Sequence, residues 1–388
     1  MDRYYSKLIS EDAFVDHKMA FLSGPRQVGK TYLAKAYLKS EKNYFNWDDT
    51  EFKRTWIRSP LQAVQGAEAG PLVLDEIHKY KKWKPSLKGL FDHIGSDVPI
   101  LVTGSAKMDL YKKRGKESLM GRYLNYRLHP FTVSERIKDF PDPDQLSIHK
   151  TVFPIQDLLR LSGFPEPLLK GSEAKAKRWS RLCVEQMLNF DVKDFANIQD
   201  MNSFEVLAEI LPQKVGSPLS LNSLREDLSV AYASIRSWVR VLEAVYYCFR
   251  IKPYAKNIVR SLKKEPKLYV FDITKIKDEG IRLENLVALH LLKVCQFWTD
   301  TAVGEFELCY IRNKQKEEVD FCLLREGEPW MLVECKSQKT AVSSTLKKFS
   351  DLFPKAWCFQ LTLKNTDKKI LGTKIRLISV EKFLSMFI

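Results

Sequence analysis

Eight consecutive residues, Gly24–Thr31 (GPRQVGKT), set two glycines, a lysine and a hydroxyl at the spacing Gly-x-x-x-x-Gly-Lys-Thr. Each residue type has a use toward a phosphate group. Glycines let a backbone wrap closely around phosphate oxygens, and amides opening a following helix point at them. Lys30 brings a point charge for β and γ phosphates, and the Thr31 hydroxyl is a ligand for Mg²⁺. With Pro25, Arg26, Gln27 and Val28 between the glycines and Tyr32 after them, the segment reads as a nucleoside-triphosphate loop.

Such a loop needs a strand before it and a helix after it. The apolar MAFLS precedes it, and Leu33, Ala34, Tyr37 and Leu38 have helical spacing after it. About 45 residues after Lys30, PLVLDEIHK supplies a second short apolar strand that ends in two acids. Asp75 stands at its C-terminal end, where open α/β sheets bind ligands, and it suits Mg²⁺, which takes oxygen ligands and keeps several waters. Glu76 is placed to orient or deprotonate an attacking water. A third strand, VPILVTGSAK, ends in small polar residues. Ser105 there reads either as a contact to the γ-phosphate or lytic water, or as a plain strand-ending turn. Arg122 is the candidate arginine for γ-phosphate charge, in cis or from a neighbouring copy. Arg114 and Arg127 compete with it, and a surface salt bridge is the alternative for each.

GPRQVGKT, LVLDEIHK, LVTGS, SLMGRYLNYRLHPFTVSE and the later GFPEP together resemble the AAA+ ATPases of bacteria and archaea that carry a C-terminal domain of unknown function. The resemblance covers nearly the whole chain. It implies ATP and Mg²⁺ as ligands, an ATPase activity, and a hexamer-like assembly as the family expectation. One departure stands out. The family often has an acidic-basic pair, roughly ERD, in the helix after GFPEP, whereas this chain has Phe190 before Asp191. If that arginine serves hydrolysis in relatives, its absence here puts the rate of turnover in question.

The Pro- and Asp-rich stretch near 137–150 reads as a linker, and helical periodicity from about Asp157 to Ile210 suits a small lid over the nucleotide. Leu221, Leu224 and Leu228 mark one helix, Val230–Ala231 a turn, and Ile235, Trp238, Val239 and Leu242 a second helix, with the strand-like YYCFRIKPY following. That is a winged-helix outline. Its second helix would offer Tyr232, Ser234, Arg236, Ser237 and Arg240 to DNA, and KNIVRSLKKEPK would form a charged wing or hairpin loop. The same outline also serves as a plain protein-packing module.

A second chemical pattern lies near the C-terminus. FELCYIRNKQKEEVDFCLLREGEPWMLVECKSQ reads as three strands with turns at NKQKE and REGEP. Asp320 sits in an otherwise apolar strand, where a carboxylate is costly unless paired or bound to a cation. Glu334 and Lys336 share one face of the next strand. Asp320, Glu334-x-Lys336 and Glu284 on the preceding helix resemble the PD-(D/E)xK restriction-endonuclease-like fold, whose carboxylates hold Mg²⁺. Cleavage and a dead, binding-only site are both compatible with the pattern, and so is a buried Asp–Lys pair that only holds the sheet. Arg312 faces either the same phosphate or Glu317.

The expected architecture is therefore α/β: a P-loop AAA+ ATPase core (1–136), a linker and helical lid (137–205), a winged-helix-like module (206–265) and a PD-(D/E)xK nuclease-like domain (266–388). A net charge of +15, from 63 Lys and Arg against 48 Asp and Glu, favours a polyanion partner, DNA first. A partner-remodelling ATPase that ignores nucleic acid is the rival. Seven cysteines with no C-x-x-C pair argue for buried thiols in a reducing, cytoplasmic setting rather than disulfides or zinc. The six histidines lack metal-ligand spacing. MDRYYSKLIS has no signal-peptide core, and the most apolar window, LENLVALHLLKVCQFW, is too short to span a bilayer.

Overall fold

The computed structural model describes residues 3–105, 119–135, 140–255, 264–337 and 341–388. Arg114 and most of the basic wing stretch, 256–263, lie outside the described residues. The chain forms two compact units. The first is Met1–His129 with Asn189–Ala196 and Ala244–Tyr246; the second is Pro130–Leu188 with Asn197–Glu243 and Tyr247–Ile388.

In the first unit, β1 (Met19–Ser23), β2 (Tyr44–Asn46), β3 (Leu72–Asp75), β4 (Ile100–Gly104) and β5 (Tyr123–Arg127) make one sheet ordered β2-β3-β4-β1-β5. All four pairings are parallel. The cause is legible in the residues: β1, β3 and β4 are buried at every position, as apolar runs covered on both faces must be. Phe52 and Trp56 of helix Thr50–Arg58, with Leu87 and Leu90 of helix Trp83–Ile94, share one apolar cluster with Phe21, Leu74 and Val102. Each such side chain contributes about 1.5–3 kcal/mol of burial. Register then collects the C-terminal strand ends on one edge: Ser23 beside Gly104 and Arg127, Asp75 beside Asn46 and Thr103. β4 lies between β1 and β3, so the loops leaving β1 and β3 flank its tip, the kind of crevice where α/β sheets bind ligands.

The second unit is built on eight strands: β6 (Cys248–Pro253), β7 (Lys267–Val270), β8 (Phe306–Arg312), β9 (Glu318–Arg325), β10 (Glu328–Cys335), β11 (Trp357–Thr362), β12 (Asp367–Lys369) and β13 (Ile375–Ser379), ordered β12-β13-β11-β10-β9-β8-β6-β7. β8, β9 and β10 run antiparallel, and β11 joins β10 in parallel after helix Ser344–Leu352. The long helix Glu279–Asp300 starts at an Asp278 cap that accepts from Ile281 N–H, which satisfies an otherwise unpaired donor of the first turn. Asn285 ties this helix to β7, donating to Val270 O at 2.8 Å and accepting from Val270 N at 2.9 Å.

Contacts group the chain differently from the expected boundaries. The hairpin β6–β7 and the C-terminal strands share one sheet, because β6 pairs in parallel with β8, so 206–265 and 266–388 do not form separate sheets. The chain also passes into the second unit after His129 rather than at 136. The HPFTVSE segment explains why. Val133 N–H donates to His290 Nε2 at 3.1 Å, and Lys293 Nζ lies 2.6 Å from Glu135 Oε2 and 2.8 Å from Thr132 Oγ1. The Lys293–Glu135 pair is fully buried, and losing one partner of such a pair costs about 3–5 kcal/mol. GFPEP meets the same segment: Phe131 N–H donates to Gly163 O at 2.6 Å. A Cβ at Gly163 would stand 2.3 Å from Phe131 O.

Helices cover Ile155–Leu161, Pro165–Lys170, Glu173–Gln186 and Met201–Ile210, where periodicity placed them. Helices Leu221–Asp227 and Tyr232–Ala244 meet across a turn with Ser229 in left-handed geometry. All seven cysteines are free thiols, five of them buried. Among the described residues, no helix is long and apolar enough to cross a membrane.

Candidate functional site

At the C-terminal edge of the first sheet, a cavity of about 420 Å³ is lined by Arg26, Gln27, Gly29, Lys30, Thr31, Tyr32, Tyr44, Asn46, Asp48, Asp75, Glu76, Lys79 and Ser105. The loop after β1 has two glycines for two reasons. A Cβ on Gly24 would lie 2.2 Å from Leu128 O, so backbone packs there where a side chain cannot. Gly29 has φ +99°, a conformation that costs any L side chain energy. Pro25 and Val28 are buried in this loop, and Val28 O accepts from Arg3 Nη1 at 3.0 Å.

Lys30 opens the helix Lys30–Lys35 and is buried. Its ammonium donates to Gly24 O at 3.0 Å and Pro25 O at 2.8 Å. Burial lowers its pKa from the usual lysine range, and the charges of Glu76, Asp191 and Asp75 oppose that shift. Asp75, also buried, accepts three hydroxyls: Thr31 Oγ1 at 3.0 Å and Tyr44 OH at 2.6 Å on Oδ2, and Thr103 on Oδ1. Burial and then the Asp75 hydrogen bond raise the Tyr44 pKa.

Glu76 adopts left-handed φ +57° at the end of β3. Its Oε2 lies 3.3 Å from Ser105 Oγ, 3.7 Å from His78 Nε2 and 4.0 Å from Lys79 Nζ. Burial lowers the His78 pKa, with the Glu76 charge opposing that shift. Ser105 Oγ also lies 3.2 Å from Asp191 Oδ1, and Arg26 Nη1 donates to the same oxygen at 2.8 Å. Burial raises the Asp191 pKa, with the Arg26 charge opposing it.

The residues fit a magnesium-bound triphosphate. Thr31 Oγ1 and Asp75 Oδ2 stand 3.0 Å apart, about the spacing of adjacent oxygens around an octahedral ion with bonds near 2.1 Å. Phosphate and water oxygens would complete that shell. Among the described residues no cluster of three His, Cys, Asp or Glu is spaced to hold a metal alone.

Of the residues singled out in the sequence, the loop Gly24–Thr31 with Tyr32, and Asp75, Glu76 and Ser105, converge on this one edge. Arg122 does not. It precedes β5, and its carbonyl accepts from Met19 N–H at the start of β1. That is the opposite end of the parallel sheet from the loop. Its guanidinium pairs with Asp92 at 2.9 Å. In its own chain it cannot reach the cavity, because a five-residue strand separates the two ends. Arg127 ends β5 beside Ser23 and is not among the cavity-lining residues. Sequence reasoning missed Tyr44, Thr103 and Asp191. Asp191 was in view only as the neighbour of Phe190; nothing local says that the π-helical turn Met187–Asp191 delivers its carboxylate to Ser105. Such turns recur at functional sites.

In the second unit, register does bring the C-terminal acids together. β9 and β10 pair with Phe321 opposite Val333. Asp320 N–H donates to Glu334 Oε2 at 3.4 Å, Cys335 N–H donates to Asp320 Oδ2 at 2.8 Å, and Lys336 Nζ lies 2.7 Å from Glu334 Oε1. Tyr269 OH donates to Glu284 Oε1 at 2.7 Å. The member not foreseen is Lys267. Read from sequence as the end of a charged wing or hairpin loop, it is 1% exposed, the first residue of β7. Its ammonium lies 2.6 Å from Glu318, 3.3 Å from Glu284 and 3.8 Å from Asp320. A divalent ion among these carboxylates would face a buried like charge, so this cluster does not fit Mg²⁺ as it fits Lys267. Arg312 pairs with Glu318 at 3.5 Å, and Glu317 is taken by Lys348 at 2.5 Å. On helix Tyr232–Ala244, Tyr232, Arg236, Ser237 and Arg240 are exposed and Ser234 half-buried, while Ile235, Trp238, Val239 and Leu242 are buried.

Residues 16–137 match the AAA domain family, residues 154–274 match a domain of unknown function, DUF8612, and residues 279–383 match another, DUF4143. The chain is similar to the uncharacterized protein Rv2008c of Mycobacterium tuberculosis, 22% identical over 337 residues, 85% of this chain and 73% of the relative. It is also similar to the uncharacterized protein MJ1637 of Methanocaldococcus jannaschii, 24% identical over 383 residues, 85% of this chain and 78% of that one. Among solved structures it is similar to Aeropyrum pernix ORC1 in complex with DNA, at 11% identity, TM-score 0.34, over 74% of this chain and 93% of that one. Others are the Thermotoga maritima RuvB Holliday junction branch migration motor, at 17%, TM-score 0.28, over 63% and 87%, and AMPPCP-bound DnaA from Aquifex aeolicus, at 16%, TM-score 0.30, over 61% and 85%.

Proposed function

We propose that the protein is a magnesium-dependent ATPase that acts on DNA. The observation that carries the ATPase reading is a single cavity at the strand ends that Lys30, Thr31, Asp75, Glu76 and Ser105 all line. Lys30 exchanges its loop carbonyls for β- and γ-phosphate oxygens and holds them in a site sheltered from water, where its charge acts strongly. Thr31 and Asp75 are the residues that would hold Mg²⁺, which when bound with ATP neutralises charge developing on the phosphates. Glu76, hydrogen-bonded by Ser105, orients the attacking water and takes its proton. Arg122 serves this site only from another copy of the chain, which is what a homo-oligomer would supply.

The test is nucleotide affinity and turnover for two variants. Lys30→Ala should lose ATP binding. Glu76→Gln should keep it and turn over about 100-fold more slowly or worse. Wild-type affinity in Lys30→Ala, or undiminished turnover in Glu76→Gln, removes the assignment.

For the second unit, Lys267 favours the reading of an ATP-controlled DNA-binding switch on a nuclease-like scaffold over an active Mg²⁺ nuclease. The four expected residues lie together, yet a buried lysine supplies the cation. The exposed Arg236 and Arg240 support DNA as the partner.

A further inference from the structure

Asp191 holds two donors that line the nucleotide cavity. Its carboxylate lies 2.8 Å from Arg26 Nη1 and 3.2 Å from Ser105 Oγ. Its side chain is 4% exposed. Those two donors are a loop guanidinium and a strand-tip hydroxyl, the pair a terminal phosphate would call on. Both line the cavity beside Lys30 and Glu76. Ser105 has one proton to give and two carboxylates within 3.3 Å, Glu76 and Asp191. Arg26 is steadied further by the Phe190 ring, 5.9 Å from its guanidinium carbon.

We infer that Asp191 is an internal competitor for the γ-phosphate: it holds Arg26 and Ser105 until a triphosphate displaces it, so the site distinguishes ATP from ADP by whether Asp191 is expelled. The inference rests on the ATPase reading and adds a sensor to it. The physical basis is like-charge exclusion. A γ-phosphate and an ionised carboxylate cannot both use one arginine and one hydroxyl in a buried space without repulsion. On this inference a diphosphate, which lacks the third phosphate, leaves Asp191 in place. Expulsion has a route to the rest of the chain. Asp191 belongs to Asn189–Ala196, a segment of the first unit whose covalent neighbours on both sides, Leu188 and Asn197, belong to the second. Asp191 therefore lies on the chain that leads from helix Glu173–Gln186 toward the helix pair at 221–244. In this chain the position before Asp191 is Phe190, so Arg26 is the cation that meets this acid.

The experiment measures equilibrium binding of ADP and of the β,γ-methylene analogue of ATP to the full chain, each displacing a fluorescent ADP. Asp191→Asn keeps the shape and removes the charge. It should tighten the triphosphate analogue about tenfold, a modest part of what two like charges at this range cost, and leave ADP within about twofold. Asp191→Glu, which keeps the charge, should hold the wild-type ratio. Equal changes for both nucleotides, or an unchanged ratio in Asp191→Asn, would reduce Asp191 to a packing role and overturn the inference. Should Asp191→Asn fail to fold, Arg26→Gln carries the test: it removes the shared donor and should weaken the triphosphate analogue selectively, and equal weakening of ADP overturns the inference. Binding that survives Lys30→Ala sinks the ATPase reading itself, an outcome separate from the ratio.

Discussion

Single residues decide the charge balance of both sites, and one of them yields a pH prediction. Burial, then the Asp320 charge, pushes Glu284 and Glu334 up to about 7. Lys267 and Lys336 oppose the shift without cancelling it. The folded chain therefore keeps protons on these groups that the unfolded chain releases near pH 4.3. A folded state that binds more protons loses stability as pH rises. The cluster should therefore lower the thermal midpoint of the full chain between about pH 5 and pH 7.5, and Glu284→Gln should remove part of that fall relative to wild type. Asp144, Glu317 and Asp367 are held low by Arg325, Lys348 and Arg376, so they act with the opposite sign in more acid solution, while burial lowers His78 and holds His290 down at about 3, so these two oppose the cluster within the same window. A Glu284→Gln slope no different from the wild-type slope would mean the cluster is not the buried, proton-retaining group described.

Elements decide which residues can meet. The helix Tyr232–Ala244 hides Ile235, Trp238, Val239 and Leu242 and turns Arg236 and Arg240 outward, a division that follows from its 3.6-residue period. If this face meets DNA phosphates, Arg236→Ala and Arg240→Ala should each weaken duplex binding and lower the slope of log affinity against log salt by about one. Affinity and slope both unchanged in the double variant would move DNA off this helix. At the same scale, strand direction removes Arg122 from the nucleotide edge. All pairings of the first sheet are parallel, so residues at strand starts and strand ends cannot share a site within one chain.

The whole molecule carries two sites of different electrostatic design and a charge of +15. The nucleotide edge offers Lys30 and Arg26 to an anion; the second unit surrounds Lys267 with acids that are already neutralised. We expect ATP turnover to change when duplex or branched DNA is added, and supercoiled plasmid to survive incubation with protein and Mg²⁺ or Mn²⁺. Cleavage present in wild type and absent in Asp320→Ala would show that Lys267 yields its place to a metal, and the switch reading would fall. Turnover blind to DNA would favour a protein partner instead.

The residues by themselves determined the first site. Lys30, Thr31, Asp75 and Glu76 are legible because a phosphate loop and an acid-tipped strand are local patterns, each written in under ten consecutive residues, and parallel pairing brings any such strand ends to one edge. The helices of the middle segment and the Asp320–Glu334–Lys336 grouping were legible for the same reason: period and strand alternation are local. What only tertiary structure decided depends on chain far away in sequence. Asp191 reaches Ser105 across 86 positions, Lys267 passes from an expected surface wing into a buried nest of carboxylates, Glu135 finds Lys293 across 158 positions, and Arg122 is assigned to the wrong end of the sheet for catalysis in its own chain. For Asp191, Lys267 and Glu135 a charged group looks solvated when read alone, and its burial is set by a partner that no spacing rule names; Arg122 stays at the surface, paired with Asp92.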